Sequence, residues 1–538
     1  MKGGSQIRSL KVPDYKSGTA SYKYGTAGNN FKASVSSFKT IFFTIKKLKK
    51  QPETSGLLFD LSKSQKICTF SQNKNYRKPM STLIKNGRIV TADSDFTADI
   101  FIEGETISQI GKNLNVNADE VIDASGLLVF PGGIDPHVHL SMPFMGTFSS
   151  DDYTTGTRAA LFGGTTTVID FILQTQGKSL RHAFEEWSGR ANGNAVGDYS
   201  FHMAVTYFNE NTKPEIKEMV EEGITSFKTF MAYKGALMVD DRMMVALMEE
   251  VKKQGGMVTT HATNGDMIDY LVAKNLKAGN TAPLYHYLSQ PEVTEAEASN
   301  RFADMANYTG VPAYIVHLTC EGALNHVRDA GKRNQKVMAE TCIQYLTLDA
   351  SLYEKNFEGA KWVMSPPLRE KKDQAALWAG INAGLLQVVA TDHCPFFWEQ
   401  KKMGENDFSK IPNGAPGIEH RVELLFSEGV TKGRISLNKF VEVMSTNAAK
   451  IFGMFPQKGC LAIGSDADIL LFDPNEKHTI SAQTHHMNCD YSAYEGWEVT
   501  GKTKTVFLRG KKVIADGEVQ VEKGYGKFLK RKQVSGVI

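Results

Sequence analysis

From about residue 132 to Phe452 the chain alternates short apolar runs with helical stretches, a rhythm sustained for about 320 residues. The run "TTTVIDFIL" (165–173) reads as a strand, and "SLRHAFEEW" (179–187) as the helix after it. Further on, Thr294 and Glu297 have capping-box spacing, and Ala298, Phe302, Met305 and Ala306 follow at helical intervals. That helix is expected to end near Gly310, with the strand "AYIVHL" after Pro312. A unit that repeats strand then helix builds a parallel sheet. Over this length the most economical form is a (β/α)8 barrel of the TIM type. No internal sequence repeat accompanies the rhythm.

The flanks have a different texture. "TLIKNGRIV", "ADIFIEGETISQIG" and "EVIDASGLLVF" are short strands with turn signals, and Asn86-Gly87 and the "EGE" around Gly104 read as hairpin turns. The same texture returns in "DADILLFDP" (466–474) and "KTVFLRGKKVIADGEV" (504–519). One small β-sandwich domain built from both sides of the barrel accounts for this. The expected division is a leader over 1–79, sandwich over 80–131 and 456–520, barrel over 132–455, and a tail over 521–538.

The leader carries sixteen Lys/Arg against Asp14, Glu53 and Asp60, although the whole chain has a net charge of only +3. It is rich in Ser, Gly, Asn and Lys with few regularly spaced apolar residues, so it reads as disordered. A transit peptide, or a natural start at Met80, are the other readings. No apolar run approaches the ~20 residues that span a bilayer, and neither a membrane nor a nucleic-acid partner is expected. Six cysteines (68, 320, 342, 394, 460, 489) include no C-x-x-C pair. That speaks against a thiolate zinc site and for a reducing, cytoplasmic setting.

The chemistry gathers where the strands end, which in a barrel is the active face. "PGGIDPHVHL" (131–140) places His137 and His139 on one side of an extended segment. "GITSFKTFMAYKG" carries Lys228 inside an apolar run, with Tyr233 just beyond; "GMVTTHA" ends in His261; "AYIVHL" ends near His317; "LQVVATDH" ends in Asp392 and His393. Taken singly, each histidine is more often a hydrogen-bonded core or rim residue, Asp392 a helix cap, and Lys228 an ion-pair partner with a packed stem. Five strands ending alike make accident improbable. Lys228 is the odd member, because an ammonium cannot bind a cation. Buried beside metals it would lose its proton and could take up CO₂, giving a carbamate with two oxygens for bridging. Four imidazoles, that carbamate and one carboxylate suit a binuclear zinc centre.

These residues carry a family resemblance. The stretches "GGIDPHVHLSMPFMGTFSSDD", "FKTFMAYKG", "HATNGD", "MSPPLR", "ATDHCPF", "PNGAPGIEHR" and "KGCLAIGSDADILLFDP" resemble the dihydropyrimidinase/hydantoinase family of cyclic amidohydrolases, in order, from about residue 82 to 520. The resemblance implies two zinc ions, one held by His137, His139 and Asp392, a more exposed one by His261 and His317. It implies Lys228 as a bridging N6-carboxylysine, Tyr233 on the substrate carbonyl, and Ser365 and Asn413 holding the ring amide through main-chain groups. The implied reaction opens 5,6-dihydrouracil, dihydrothymine or a hydantoin to an N-carbamoyl amino acid, with Asp392 as proton carrier, in pyrimidine degradation. A homotetramer whose C-terminal segment reaches a neighbour is implied as well.

The chain also departs from the family pattern. Thr263 stands where an acid is usual, Val138 where Thr is common, Ser141 often corresponds to an acid, and "ILQ" (172–174) replaces a Leu-Pro ending. The apolar "MPFMGTF" (142–148) could form a lid that reads the ring substituent, with Phe144 in it or simply packed. D-hydantoinase and allantoinase are the rival enzymes. The rival outside enzymes is a metal-free scaffold like the collapsin response mediator proteins, from which the full ligand set sets this chain apart.

Overall fold

Eight strands from the middle of the chain pair in parallel, each with the next: Gly133–Val138, Thr165–Leu173, Asp198–Ala204, Ser226–Phe230, Met257–His261, Ala313–Ile315, Val337–Cys342 and Val388–Ala390. The computed structural model describes residues 80–335 and 337–533, so the expectations for the leader over 1–79 lie outside the described residues. The ring closes between its first and eighth strands. There Val138 pairs with His393, and the His139 amide donates to the His393 carbonyl at 2.8 Å. Asp135 locks the same seam, its carboxylate accepting from the Thr391 hydroxyl at 2.6 Å and the His137 amide at 3.1 Å. This is the expected (β/α)8 barrel.

A parallel sheet under helices is buried on both faces, so its strands need apolar or hydroxyl-bearing residues without alternation. Residues 165–172, Asp170 apart, meet that need and are buried without a break. The helix Leu180–Ala191 starts where Ser179 accepts the His182 amide, and it turns Leu180, Ala183, Trp187 and Ala191 inward at helical spacing. The helix expected to begin at Thr294 begins earlier, at Glu292, after Pro291. Thr294 therefore sits inside the first turn and donates its hydroxyl to the Pro291 carbonyl. Glu297 serves Asn264 and Arg301 instead of a capping box. Gly310 closes this helix in the left-handed conformation, φ 71°, as expected.

The flanking strands form one nine-stranded sheet to which both sides of the barrel contribute. Leu128–Pro131, from the N-terminal side, pairs antiparallel with Ile469–Thr479 from the C-terminal side. The sheet folds back on itself, because the Ile107 amide reaches the Ser465 carbonyl at 3.0 Å and Ala467 reaches Glu105 at 2.9 Å. Ile84, Ile100, Val129, Ile469 and Phe507 fill the enclosed core. Asn86-Gly87 does not turn the chain. The strand Ser81–Val90 runs through it as a bulge, and Gly87 is needed because a Cβ there would lie 2.4 Å from Val129 Cγ2. Gly104 does make the expected turn, between Asp95–Glu103 and Thr106–Gly111.

The tail lies against this chain's own barrel. The Tyr199 amide donates to the Lys527 carbonyl at 3.0 Å, and the Leu529 amide to Tyr199 at 2.7 Å. Arg531 follows, buried, with its Nε on the Ser200 hydroxyl at 3.0 Å.

Candidate metal centre

At the C-terminal ends of the barrel strands the side chains singled out from the sequence come together. His137, His139, Lys228, His261, His317 and Asp392 line one cleft, with Tyr233, Ser365 and Asn413. Its enclosed volume is about 40 Å³, more than one water needs. His137 Nε2 stands 3.0 Å from Asp392 Oδ1, and His139 Nε2 stands 3.1 Å from the same oxygen. The rings of His137 and His317 are 5.2 Å apart, and those of His317 and His261 4.5 Å.

The backbone is bent to achieve this. His317 and Asp392 each lie two residues beyond the end of a barrel strand, and both take left-handed φ values, 39° and 52°. Tyr233 does the same at 62°. For side chains with a Cβ such conformations cost about 1–3 kcal/mol each, and they persist where surrounding structure over-determines them. The turn after each strand swings the side chain back over the mouth of the ring.

The donor set fits divalent cations. His137, His139 and Asp392 offer ligand atoms that all lie within 4.8 Å of one another. His139 Nδ1 and His317 Nδ1 are buried without a hydrogen-bond partner among the described residues. Burial would push the His137 ring down, but the carboxylates of Asp392 and Glu340 overcome it and raise it to about 9. The pocket therefore calls for positive charge beside His137. Burial, helped by Lys228, takes His261 down to about 3, leaving its ring neutral as a ligand must be.

Lys228 is 1% exposed, its Nζ 4.7 Å from the Phe171 ring and 5.2 Å from Phe230. Burial lowers the amine to about 7, within reach of the neutral form that reacts with CO₂. Tyr233 lines the cleft with Ser365 and Asn413, and burial raises its phenol, which stays protonated as a donor. Phe144, in the short hairpin Pro143–Phe144 and Thr147–Phe148, meets Tyr233 edge-on at 5.5 Å.

Sequence reasoning missed Glu340. This carboxylate, buried in the seventh strand, accepts from His137 Nδ1, from the Tyr314 hydroxyl at 3.0 Å and from the His317 amide at 3.2 Å. Beside a bound cation it would keep the His137 proton on Nδ1 and present Nε2 to the cleft, the arrangement that orients metal-binding histidines. The signal was present as a lone acid within "VMAETC". Thr263, at the departure noted in the sequence, places its hydroxyl 2.9 Å from His261 Nε2, so a neutral oxygen stands where a carboxylate is usual. Gln174, at another of the departures, bonds the Thr206 and Tyr207 amides and does not line the cleft.

The Amidohydrolase family profile matches residues 128–513. A D-hydantoinase of Geobacillus stearothermophilus is 49% identical over 455 residues, 84% of this chain and 97% of that protein. A D-hydantoinase of Streptomyces coelicolor is 44% identical over 457 residues, 84% of this chain and 98% of that one. The crystal structure of a dihydropyrimidinase from Brevibacillus agri superposes with a TM-score of 0.84 at 48% identity, covering 85% of this chain and 100% of that chain.

Proposed function

The chain belongs to the Amidohydrolase family, in the branch of the hydantoinases and dihydropyrimidinases, and on that footing we propose that it opens cyclic ureides by hydrolysis. The substrates are 5,6-dihydropyrimidines or hydantoins, and the products N-carbamoyl amino acids. The observation that carries this reading is the meeting of four imidazoles, one amine and one carboxylate from five barrel strands in a single cleft.

Two zinc ions suit the donor set. His137, His139 and Asp392 would hold one, His261 and His317 the other, and Lys228, carboxylated on its amine, would join them. Such ions supply Lewis acidity and a nucleophilic water near neutral pH. The chain's own groups do the rest. Asp392 takes the proton of the attacking water and delivers it to the leaving ring nitrogen. The Tyr233 hydroxyl donates to the carbonyl oxygen as charge grows on it. The main-chain groups of Ser365 and Asn413 hold the ring amide. Water adds across one C–N bond, leaving a carboxylate on one side and a carbamoyl group on the other.

Apart from Lys228, the residue read as carboxylated, neither lysine nor arginine is among the residues that line the cleft, and Met142, Phe144 and Phe230 are its apolar wall. That suits an uncharged ring and disfavours one bearing a carboxylate. The protein is further read as a cytoplasmic homotetramer acting in pyrimidine breakdown. Its five described cysteines, all free, support a reducing setting.

The test is turnover by purified, metal-loaded protein of dihydrouracil, hydantoin, allantoin and dihydroorotate, followed by loss of ring absorbance. Dihydrouracil and hydantoin are expected to react. Inertness toward both, or a preference for allantoin, overturns the reading.

A further inference from the structure

Lys401 is fully buried at the end of the short helix Trp398–Lys401, and among the described residues no carboxylate pairs with it. Its ammonium donates to three carbonyls: Val363 at 2.9 Å, Pro412 at 2.7 Å and Gly414 at 2.7 Å. Three N–H bonds meet three acceptors, and the set is complete. Two of those carbonyls bracket Asn413, and the third lies two residues before Ser365. The Gly414 amide adds a direct stitch to the Val363 carbonyl at 2.9 Å.

Peptide geometry turns this node into an aiming device. The C=O and N–H of one trans peptide point in opposite directions. Holding the Pro412 carbonyl on Lys401 therefore sends the Asn413 N–H away from the node. Holding the Gly414 N–H on Val363 likewise turns the Asn413 carbonyl away from Val363. Among the described residues, neither main-chain group of Asn413 has a hydrogen-bond partner, while its side chain bonds the Ser365 hydroxyl at 3.1 Å. Asn413 lines the cleft; Lys401 does not. Gly414 completes the tight fit, since a Cβ there would lie 2.2 Å from the Cys394 carbonyl. The neighbouring Gln400 donates to the Phe148 carbonyl at 2.8 Å, so the same short helix also grips the 143–148 hairpin.

We infer that Lys401 is a positioning residue for substrate binding, whose ammonium fixes the main-chain groups of Asn413 and Ser365 that receive the ring amide. The inference rests on the proposed ring-opening reading. Lys401 touches neither the substrate nor the reacting atoms, so its removal is felt in binding before it is felt in chemistry. Of its three carbonyls, those of Pro412 and Gly414 would be left without a donor, Val363 keeping only the Gly414 amide, and the 412–414 segment would rotate to find water.

The experiment compares K401M and K401Q with wild type in three ways: KM and kcat on whichever ring the wild type opens, metal content, and amide hydrogen exchange across residues 405–418. K401M is expected to raise KM at least tenfold with kcat within about threefold and metal content unchanged, and to speed exchange in that segment. K401Q, whose amide can still serve two carbonyls, is expected to show a smaller rise of the same kind, and it keeps the test open if K401M does not fold. Unchanged exchange overturns the node. Faster exchange at unchanged KM, or a fall in kcat at unchanged KM, overturns the link to substrate. A wild type that opens no ring ureide instead removes the underlying reading, an outcome visible before any variant is made.

Discussion

His137 and Asp392, from opposite sides of the barrel seam, meet at 3.0 Å through Nε2 and Oδ1. Burial alone would raise the Asp392 carboxyl, but His137 and His139 hold it well below the usual carboxylate range. The two histidines thus favour its ionised form. Replacing it by alanine is expected to leave the circular dichroism spectrum unchanged and to cut turnover by about 10²–10⁴-fold, the range for loss of a positioned proton carrier. Substantial residual turnover would remove Asp392 from that role.

Lys228 should decide whether the cleft keeps its metals. Its amine, lowered to about 7 by burial, is expected to carry a carbamate in the active protein. K228A should fold and yet retain far less zinc after dialysis, as elemental analysis would read. A chelator should silence the wild type, and added zinc should restore it. A variant that keeps its full zinc complement would show that Lys228 is no ligand.

Glu340 and Thr263 act on the histidines rather than on the substrate. E340Q puts an amide where His137 Nδ1 expects an acceptor, and a loss of metal affinity of about 10–100-fold is expected, as for other groups that orient metal-binding histidines. T263A, which removes the oxygen 2.9 Å from His261 Nε2, should cost less. Competition against a chelating dye measures both.

A pH signature lies away from the cleft, where Glu423 accepts from His420 at 2.6 Å and His478 at 2.9 Å. Burial would raise Glu423, but these histidines bring it down to about 2 from its ordinary 4.5. A depressed carboxyl stabilises fully above its unfolded value and loses that contribution as pH falls through the folded one, here between about 4.5 and 2. His420 is raised despite its burial, so its share is complete below 6.5 and fades as pH climbs through its folded value. E423Q is therefore expected to lose about 3 kcal/mol near pH 5 and to match the wild type near pH 2. Melting curves across that range would show it, and a constant difference would count against the assignment.

Much of this was legible in the strand endings. His137, His139, Lys228, His261, His317 and Asp392 stand out because polar groups at the close of apolar runs have few structural uses. Glu340 was not legible, since a single acid inside a strand looks like any buried hydrogen-bond acceptor until its partners are known. Asn86-Gly87 misled for a related reason: that pair serves a bulge as readily as a turn, and the contact with Val129 that settles the matter is long-range. Thr294 lost its capping role to Pro291, whose fixed φ starts the helix earlier. Lys401 gave no local sign at all, because its partners are backbone carbonyls and carry no side-chain signature.

The seam where Val138 meets His393 gives this protein an order of assembly. Three of the groups that face one another across the cleft come from the first and last staves of the ring, so they become neighbours only once the circle is complete. A nascent chain halted before residue 388 would own most of the staves and none of that trio's geometry. Activity and tight metal retention should therefore emerge together, late in synthesis, and report on a finished ring.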